Sequence, residues 1–391
     1  MKKKLKIAYF LDNFYPQVNG VVTSSINTAF EMARRGHEIY GVVSRNRNDL
    51  KCPEDYFPFP LLYQEGNSAY FYPEFNYTYI FSAKIVKAIL DFKPDIIHFH
   101  APMSMGYQAI RISRILKIPV VGTFHTFFAE PEYLSIVNLD KCKFLTKIGW
   151  WYSNQFFNRC DAVISPGKYT AKHLIEKKLK NKLYIISNGV DVKKYQKFKF
   201  KPDKFLLNPK KNEEWIIFIG RISKEKCLNV LLDAMKILIN RRKKLKLLVV
   251  GDGPYKEELK KTAKNMNLHN NVFYSGMIQN KDLLESGILS KMKLFVTPST
   301  SENQPMTILE AIMFGLPVVG VNAKGVPELI EGNGFIVPPG DSLKLAESIL
   351  KILQNKTLYK KFRNKSLKLS KKYDIRLTTD KIEALYYDLV K

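Results

Sequence analysis

The sequence is poor in cysteine and has no paired cysteine motif. Its 391 residues include four cysteines, and no two of them form a Cys-x-x-Cys pair. Secreted disulfide-stabilised domains and structural zinc sites both depend on closely spaced cysteines. Both classes are therefore excluded, and we expect the four thiols to be reduced and to have structural roles.

Long apolar runs are also missing. No segment approaches the ~18 to 20 consecutive apolar residues that a membrane-spanning helix requires. The basic start from Met1 to Lys4 has the charge of a signal peptide, but Lys6 and Asp12 interrupt the apolar stretch behind it and no small-residue cleavage site follows. We predict a strand there, and a cytoplasmic protein that is either soluble or peripheral on the inner face of the membrane.

Acidic residues are scarce relative to basic ones. The chain has 36 Asp and Glu against 63 Lys and Arg, a formal net charge of +27. Such a charge favours a polyanionic partner: nucleic acid, an anionic membrane surface or a phosphorylated substrate. The excess is mostly lysine spread along the chain, which a general compositional bias would also produce. No zinc-finger spacing, RNP-like aromatic motif or dense basic block occurs, so nucleic acid is excluded as a partner.

Short apolar strands alternate with helical stretches along the whole chain, which is typical of doubly wound α/β domains. Predicted strands in the first half are 6–11, 38–43, 96–99, 120–123, 162–165 and 184–186. Those in the second half are 216–219, 246–250, 272–275, 294–297, 317–320 and 334–337. A Lys-rich, turn-prone segment from 192 to 214 separates the two sets. The pattern predicts two tandem domains whose ligands bind beyond the carboxyl ends of the strands.

The run from Glu302 to Glu310 spans the entrance to a predicted helix. The buried strand 294–297 ends before it, and Pro305 lies near the start of a helix from Met306 to Phe314. The free N–H groups of the first helical turn, at Met306 and Thr307, can stabilise a diphosphate. Carboxylates beside such an anion site are suited to accept hydrogen bonds from sugar or ribose hydroxyls.

Arg221 and Lys226 follow the predicted strand 216–219, which places two cations at the same edge of the sheet. Fixed cations there can neutralise the negative charge that grows on a phosphate leaving group. We expect the side chains of Arg221 and Glu310 to face a solvent-filled crevice, and we expect the cations to lower the pKa of a glutamate at the helix entry. A lowered pKa would exclude hydrolysis by a pair of carboxylates, because one of them must act as an acid.

These motifs together resemble the retaining glycosyltransferases of family four. The spacing of Glu302 and Glu310 matches the Glu-x7-Glu signature of that family, and further motifs occur in the family's order: 94–100, 122–126, 187–191, 220–226 and 249–254. The resemblance covers almost the whole chain, and its pattern is similar to that of the diacylglycerol glucosyltransferase-like branch. It implies the GT-B fold, two Rossmann-like domains that face a central crevice.

The resemblance also implies domain boundaries. An acceptor-binding domain would span residues 1–191 and be completed by an amphipathic C-terminal helix within 375–391, which crosses back to it. A nucleotide-sugar-binding domain would span residues 192–374.

The resemblance implies a role for each matching residue. Glu302 would hold the donor sugar, Glu310 the nucleotide ribose, and Arg221 and Lys226 the pyrophosphate. These roles imply transfer of a hexosyl group from a nucleoside diphosphate sugar, with a UDP-sugar favoured. Where the family usually has glycine after that lysine, this chain has Cys227, which puts the path of the turn in question. No Asp-x-Asp motif occurs, so we expect no metal and no cofactor.

Histidines and a glycine in the first half complete the candidate site. The resemblance implies a near-catalytic role for His125, just beyond the strand 120–123, although a structural histidine would occupy the same position. His98 and His100 share one strand face; we expect His98 to be buried and structural, and we leave His100 open as a crevice residue. Gly20, in a turn before a helix that begins near Thr23, is a candidate donor-binding residue or an ordinary turn.

The acceptor is open at this level. A predicted helix within Lys141 to Arg159 carries aromatic and aliphatic residues at helical spacing beside lysines, so it could lie on an anionic membrane or pack on its own domain. The acceptor is therefore a lipid or a small polyol or sugar. Two other functions remain compatible with the pattern: a sugar-nucleotide 2-epimerase of the same architecture, and a non-catalytic polyanion-binding protein.

Overall fold

The computed structural model describes residues 3–46, 51–54, 56–69, 72–78, 82–127, 143–198 and 213–391. The chain divides into two compact units. Unit 1 comprises Met1–Gly189 and Ile375–Lys391, and unit 2 comprises Val190–Asp374. The first division between the two units falls between Gly189 and Val190.

Unit 1 is built on an eight-stranded sheet with the order β4-β3-β2-β1-β5-β6-β7-β8. The strands are β1 (Lys6–Leu11), β2 (Glu38–Asn46), β3 (Leu61–Ala69), β4 (Tyr72–Thr78), β5 (Ile96–Phe99), β6 (Val120–Thr123), β7 (Ala162–Ser165) and β8 (Leu183–Ile185). All pairings are parallel except that of β4 with β3 at one edge. The six predicted strands are present. The strands β3 and β4, at one end of the sheet, were not predicted, because their sequences lack the apolar block of a buried parallel strand.

Helices connect these strands. They are α1 (Gly20–Arg34), α2 (Ala83–Phe92), α3 (Ser104–Leu116), α4 (Lys143–Phe157) and α5 (Lys168–Glu176). Helix α1 begins at Gly20 rather than near Thr23, because the side chain of Asn19 accepts a hydrogen bond from the N–H of Val22 at 3.0 Å and caps the helix. The predicted turn at Gly20 is therefore wrong: this residue is the first of the helix.

Unit 2 is built on a six-stranded, fully parallel sheet with the order β11-β10-β9-β12-β13-β14. The strands are β9 (Glu214–Ile219), β10 (Leu245–Val250), β11 (Val272–Gly276), β12 (Leu294–Thr297), β13 (Val318–Val321) and β14 (Gly334–Val337). The helices are α6 (Val192–Tyr195), α7 (Leu228–Arg241), α8 (Lys256–Asn265), α9 (Asn280–Glu285), α10 (Met306–Met313), α11 (Ser342–Gln354) and α12 (Lys356–Lys372). Every strand predicted in this half is present, with ends shifted by a residue or two.

Both faces of each sheet are covered. In β9, Ile216 and Phe218 belong to one apolar cluster and Ile217 to another, so successive side chains enter opposite layers of the core. A strand buried on both faces must be apolar throughout, which explains why these strands could be recognised as short apolar blocks.

The last helix, α13 (Ile375–Val390), belongs to unit 1 and has the predicted bounds. Its buried residues Ile382, Leu385 and Tyr386 join the apolar cluster that contains β1. Arg35 bonds Asp380 and Glu383 on this helix at 2.7 Å and 2.9 Å. The C-terminal segment thus completes the core of unit 1.

In the part of the chain that the structure describes, no helix is both long enough and apolar enough to span a bilayer.

Candidate functional site

In unit 2 the strand order reverses between β9 and β12. Connections leave these two neighbouring strands in opposite directions, which opens a crevice at their carboxyl ends where α/β proteins bind ligands. Gly220 and Arg221 follow β9, and the segment that begins at Pro298 follows β12. Gly251, at the end of β10, has φ of +140°, and a Cβ atom there would lie 2.0 Å from the carbonyl oxygen of Gly220. The backbone is therefore closely packed beneath the site.

Lys226 and Glu302 form an ion pair across this point. The Nζ atom of Lys226 lies 2.7 Å from Oε1 of Glu302 and also donates to Oγ of Ser301 at 3.3 Å. Burial would raise the pKa of Glu302, but Lys226 and the charge of Lys324 together hold it below its usual value. Glu302 is thus a carboxylate at neutral pH, as the sequence predicted.

Lys324 and Gly325 were not predicted, yet they shape the same loop. The N–H of Gly325 donates to the carbonyl of Glu302 at 3.1 Å. A Cβ atom at position 325 would lie 1.4 Å from the carbonyl oxygen of Asn303, so only glycine fits there. The turn after β13 therefore fixes the loop that carries Glu302, and it brings a further cation to the site.

Glu310 lies inside the protein rather than in solvent, so the prediction that it faces solvent is wrong. Its side chain is on helix α10 and is 1% exposed. Oε1 accepts a hydrogen bond from Nδ2 of Asn280 at 2.7 Å, and Oε2 is buried with no partner among the described residues. Burial raises the pKa of Glu310 to about 8, against the lowering effect of Asn280. The expectation of a lowered pKa therefore holds for Glu302 and fails for Glu310.

Helix α10 presents its N-terminus to the loop of Glu302. Pro305 precedes it and no side chain caps it, so the N–H groups of Met306 and Thr307 lie in a first turn that has no intrahelical acceptor for them. Met306 is buried and Thr307 is half-buried. This first turn, Arg221, Lys226 and Glu302 all follow β9 or β12, at the switch point of one sheet.

Cys227 occupies a left-handed backbone conformation, with φ of +52° and ψ of +35°. Glycine adopts this conformation without strain, whereas cysteine does not. The turn after Lys226 therefore keeps the path that a glycine would take. The replacement of glycine by Cys227 therefore strains the backbone and leaves the path of the turn unchanged.

In unit 1 the strand order reverses between β1 and β5, and a pocket opens there. Its lining includes Asp12 after β1, His100 and Pro102 after β5, and His125 after β6. Oδ1 of Asp12 accepts hydrogen bonds from Oγ of Ser104 at 2.9 Å and from the N–H of Met105 at 2.8 Å, so Asp12 caps helix α3. Burial raises the pKa of Asp12 to about 7. Sequence reasoning missed Asp12, although it is the first polar residue beyond a central buried strand.

Three histidines lie at this switch point. Both ring nitrogens of His98 are bonded, to Oη of Tyr386 at 2.6 Å and to Oγ1 of Thr123 at 2.7 Å, which confirms a buried structural residue. Nδ1 of His100 lies 3.0 Å from Nε2 of His125, and within the part of the chain that the structure describes Nε2 of His100 is buried with no partner.

Burial also sets the charge of these rings. It lowers the pKa of His98 to about 3 and that of His125 to about 4, and it lowers the pKa of His100 as well. All three rings are therefore neutral hydrogen-bonding groups at neutral pH.

Gly20 lies in unit 1, next to Val21, which lines the pocket. Its proposed contact with a donor stays a prediction. Among the described residues, no group of three or more His, Cys, Asp or Glu side chains is placed to hold a metal ion.

Two family profiles match the chain, one for each half. Residues 18–194 match Glycosyltransferase Family 4, and residues 199–369 match Glycosyl transferases group 1.

Curated relatives cover most of the sequence. The chain is 28% identical over 335 residues to an alpha-monoglucosyldiacylglycerol synthase of Streptococcus pneumoniae, covering 83% of this chain and 72% of that protein. It is 27% identical over 397 residues to a sulfoquinovosyl transferase of Arabidopsis thaliana, covering 99% of this chain and 74% of that protein.

Solved structures share the fold. The Anabaena HepE protein, in a crystal structure with UDP and glucose, has a TM-score of 0.78 and 21% identity, covering 98% of this chain and 100% of that one. Sucrose-phosphate synthase from Thermosynechococcus elongatus has a TM-score of 0.78 and 17% identity, covering 98% of this chain and 99% of that one. At these identities the likeness establishes the fold, which is GT-B.

Proposed function

Because the chain belongs to the family-four glycosyltransferases, we propose that it transfers a hexosyl group, with retention, from a UDP-sugar to a hydroxyl of a lipid acceptor. Membership of the family makes the chain an enzyme, which removes the non-catalytic polyanion-binding alternative. The observation that carries the proposal is the Lys226–Glu302 ion pair between the loop that carries Arg221 and the loop that leads to the first turn of α10.

The donor roles follow from charge and hydrogen-bonding capacity. Arg221, Lys226 and the N–H groups of Met306 and Thr307 can bind a diphosphate, and they stabilise it further as the bond to the sugar breaks and its charge grows. Glu302, already a carboxylate, accepts hydrogen bonds from the sugar hydroxyls.

Glu310 offers Oε2 to a pair of donors such as the hydroxyls of a ribose. Those donors also satisfy a buried oxygen that otherwise has no partner, which adds to their binding.

UDP is the favoured nucleotide, since the HepE structures contain UDP and UDP-glucose. The bond between the anomeric carbon and the β-phosphate oxygen breaks, and a bond to the acceptor oxygen forms on the same face of the sugar. The proton of the acceptor hydroxyl balances the new charge on the released diphosphate.

Neutral hydrogen-bonding groups in the unit 1 pocket suit an acceptor hydroxyl. His125 and His100 can each donate or accept without carrying a charge, and Asp12 lies in the same pocket. Two of the curated relatives are named for diacylglycerol glycosides, which supports a lipid acceptor here. With such an acceptor the enzyme works on the cytoplasmic face of a membrane as a peripheral protein.

A matrix of donors and acceptors tests the proposal. UDP-glucose, UDP-galactose, UDP-N-acetylglucosamine and GDP-mannose are each offered with diacylglycerol and monoglucosyldiacylglycerol in non-ionic detergent, and with soluble sugars and inositol phosphate. We expect a glycolipid product, detected by mass spectrometry, with a UDP-sugar.

Arg221→Ala is the matched inactive control. It should lose roughly 30-fold to 1000-fold, about 2 to 4 kcal/mol of transition-state stabilisation. Transfer to soluble acceptors alone would overturn the lipid assignment. Full activity of Arg221→Ala would overturn the site.

A further inference from the structure

The carboxyl group of Glu310 is held from outside its own helix by one side chain. Nδ2 of Asn280 donates to Oε1 of Glu310 at 2.7 Å, and among the described residues no other side chain bonds this group. Asn280 is the first residue of α9, which follows β11. Glu310 is buried, whereas Asn280 is half-buried. Asn280 therefore connects a carboxyl group inside unit 2 to the surface of that unit.

The hydrogen bond from Asn280 restricts the softest torsion of Glu310. Rotation about the bond to a carboxyl group has broad minima, whereas the inner torsions of a glutamate have narrow ones. Burial sets the path of the Glu310 side chain, and the bond at Oε1 sets how its carboxyl plane is turned. With Oε1 held, Oε2 has a defined position, and no described residue bonds it. The carboxyl group is thus oriented in advance to accept hydrogen bonds at Oε2.

Apolar packing places the helix that carries Asn280. Leu283 and Leu284 of α9 are buried in the same apolar cluster as Leu309 of α10. An asparagine near the start of a helix ordinarily bonds the backbone of its own helix. Asn280 instead donates its amide to a carboxyl group on another helix. A residue that gives up its local preference in this way is typical of a functional site.

We infer that Asn280 is a positioning residue for the nucleotide ribose: its amide holds the carboxyl group of Glu310 in the orientation in which Oε2 accepts the ribose hydroxyls. The inference rests on the role of Glu310 in the proposed function. Oε2 lies beneath the surface, so the ribose displaces its cover on binding, while the bond at Oε1 keeps the carboxyl group in place. Asn280 acts through Glu310 and does not contact the nucleotide.

Removing the ribose hydroxyls from the ligand tests this role directly. The unchanged protein should bind UDP at least about tenfold more tightly than 2′,3′-dideoxyuridine diphosphate, because the analogue leaves a buried oxygen unpaired. Asn280→Leu keeps the shape of the side chain and removes the donor. This variant should bind UDP as weakly as it binds the analogue, within about threefold. Its affinity for the analogue should equal that of the unchanged protein, because the diphosphate contacts are intact. Calorimetry measures these dissociation constants.

Asp282→Leu is the matched control. Asp282 is exposed on the same helix, and leucine replaces a polar side chain of similar size there too. This change should alter neither dissociation constant. With a UDP-sugar as donor, Asn280→Leu should raise KM by about tenfold and leave kcat within about twofold, because the ribose is bound equally in the ground state and the transition state. Asp282→Leu should change neither kinetic constant.

A double variant keeps the test decisive if the single change unfolds the protein. Asn280→Leu leaves Oε1 of Glu310 buried without its donor, which is destabilising. Asn280→Leu/Glu310→Met replaces both partners by apolar side chains, so it should fold. It should bind UDP as Glu310→Met does. A further loss of affinity in the double variant would show that Asn280 contacts the nucleotide itself, and it would overturn the inference.

The two ligands also separate this inference from the proposed function. Equal binding of UDP and the analogue by the unchanged protein would remove the ribose role of Glu310, and the inference with it. If Glu310→Met loses the discrimination and Asn280→Leu keeps it, the role of Glu310 stands and the inference alone is overturned. Equal weakening of both ligands in Asn280→Leu would give Asn280 a purely structural role and would also overturn the inference.

Discussion

Nζ of Lys226 and Oε1 of Glu302 lie 2.7 Å apart, and this ion pair joins the loop after β9 to the loop after β12. The side chains are 12% and 21% exposed. A carboxylate so enclosed keeps its charge only while a cation accompanies it. Each residue of the pair therefore keeps the other charged and in position before any donor binds.

Lys226→Ala should lower transfer by roughly 30-fold or more, because it removes a cation from the leaving phosphate and also leaves Glu302 without its main partner. The pKa of Glu302 should then rise, so the residual activity should fall off at a higher pH on the acid side. A pH–rate profile of kcat/KM checks both effects. Lys224→Ala, at an exposed cation two positions earlier, is the control and should change neither.

Glu310 should make nucleotide binding release protons. Its pKa is raised to about 8, so the free protein holds a proton there at neutral pH, and ribose hydroxyls favour the ionised form. UDP binding should therefore tighten as pH rises from about 6 to about 9. Calorimetry in buffers of different ionisation enthalpy measures the released protons. An unchanged proton release in Glu310→Gln would contradict this origin.

The carboxyl group of Glu310 should also make stability depend on pH, in the direction opposite to UDP binding: stability should fall as pH rises. A glutamate whose folded pKa lies above its unfolded value stabilises the protein fully below about pH 4.5, and this contribution is lost as pH rises through about 8. The free energy of unfolding of the ligand-free protein should therefore fall over that range. In Glu310→Gln the free energy of unfolding should depend less on pH, because an amide keeps the hydrogen bond with Asn280 and does not titrate.

Gly325→Ala should disturb the site by a steric route. The added Cβ atom would overlap the carbonyl of Asn303, so the loop that carries Glu302 must move. We expect a strong loss of transfer together with a loss of thermal stability. Gly340→Ala is the matched control: Gly340 has φ of +78° and no atom within 4 Å of the added group, so only backbone strain acts there. Equal activity losses in the two variants would show that the Asn303 contact is irrelevant.

In the pH–rate profile of transfer, the fall in rate on the acid side should come from the titration of Asp12 rather than from that of a histidine. Burial places the pKa of Asp12 at about 7 and that of His125 at about 4. The variant Asp12→Asn keeps an oxygen that can cap α3, so the protein should still fold. Its pH–rate profile should lack the fall in rate near pH 7. If that fall in rate persists in Asp12→Asn and disappears in His125→Gln, the assignment is reversed.

Transfer should continue after divalent metal is removed. In the proposed site, Arg221, Lys226 and the first turn of α10 would together supply the positive charge that a metal ion would otherwise bring to the diphosphate. Initial rates in excess EDTA should match those with added magnesium. Complete loss in EDTA, reversed by magnesium or manganese, would contradict the prediction.

The sequence predicts well what depends on neighbouring residues. Twelve strands were recognisable because strands buried on both faces are apolar blocks, and α10 was recognisable from Pro305 and the apolar residues that follow. Strand β3, with the sequence LLYQEGNSA, offers no such block. Partners distant in the chain were missed for a different reason. Asn280 lies 30 residues from Glu310, and only the fold brings them together.

The environment of Glu310 could not be predicted for the same reason. A glutamate one turn into a helix can face solvent or the core, and the choice depends on α9 packing over it. The residue type and its position were therefore predictable, whereas its burial and its raised pKa were not.

The placement of α13 has a consequence for how the protein is made. His98, in the middle of unit 1, completes its hydrogen bonds only with Tyr386, and Tyr386 is fully buried against β1. All of unit 2, from Val190 to Asp374, leaves the ribosome before that tyrosine does. Unit 1, most of which is synthesised first, therefore cannot complete its core until α13 has followed unit 2 out of the ribosome.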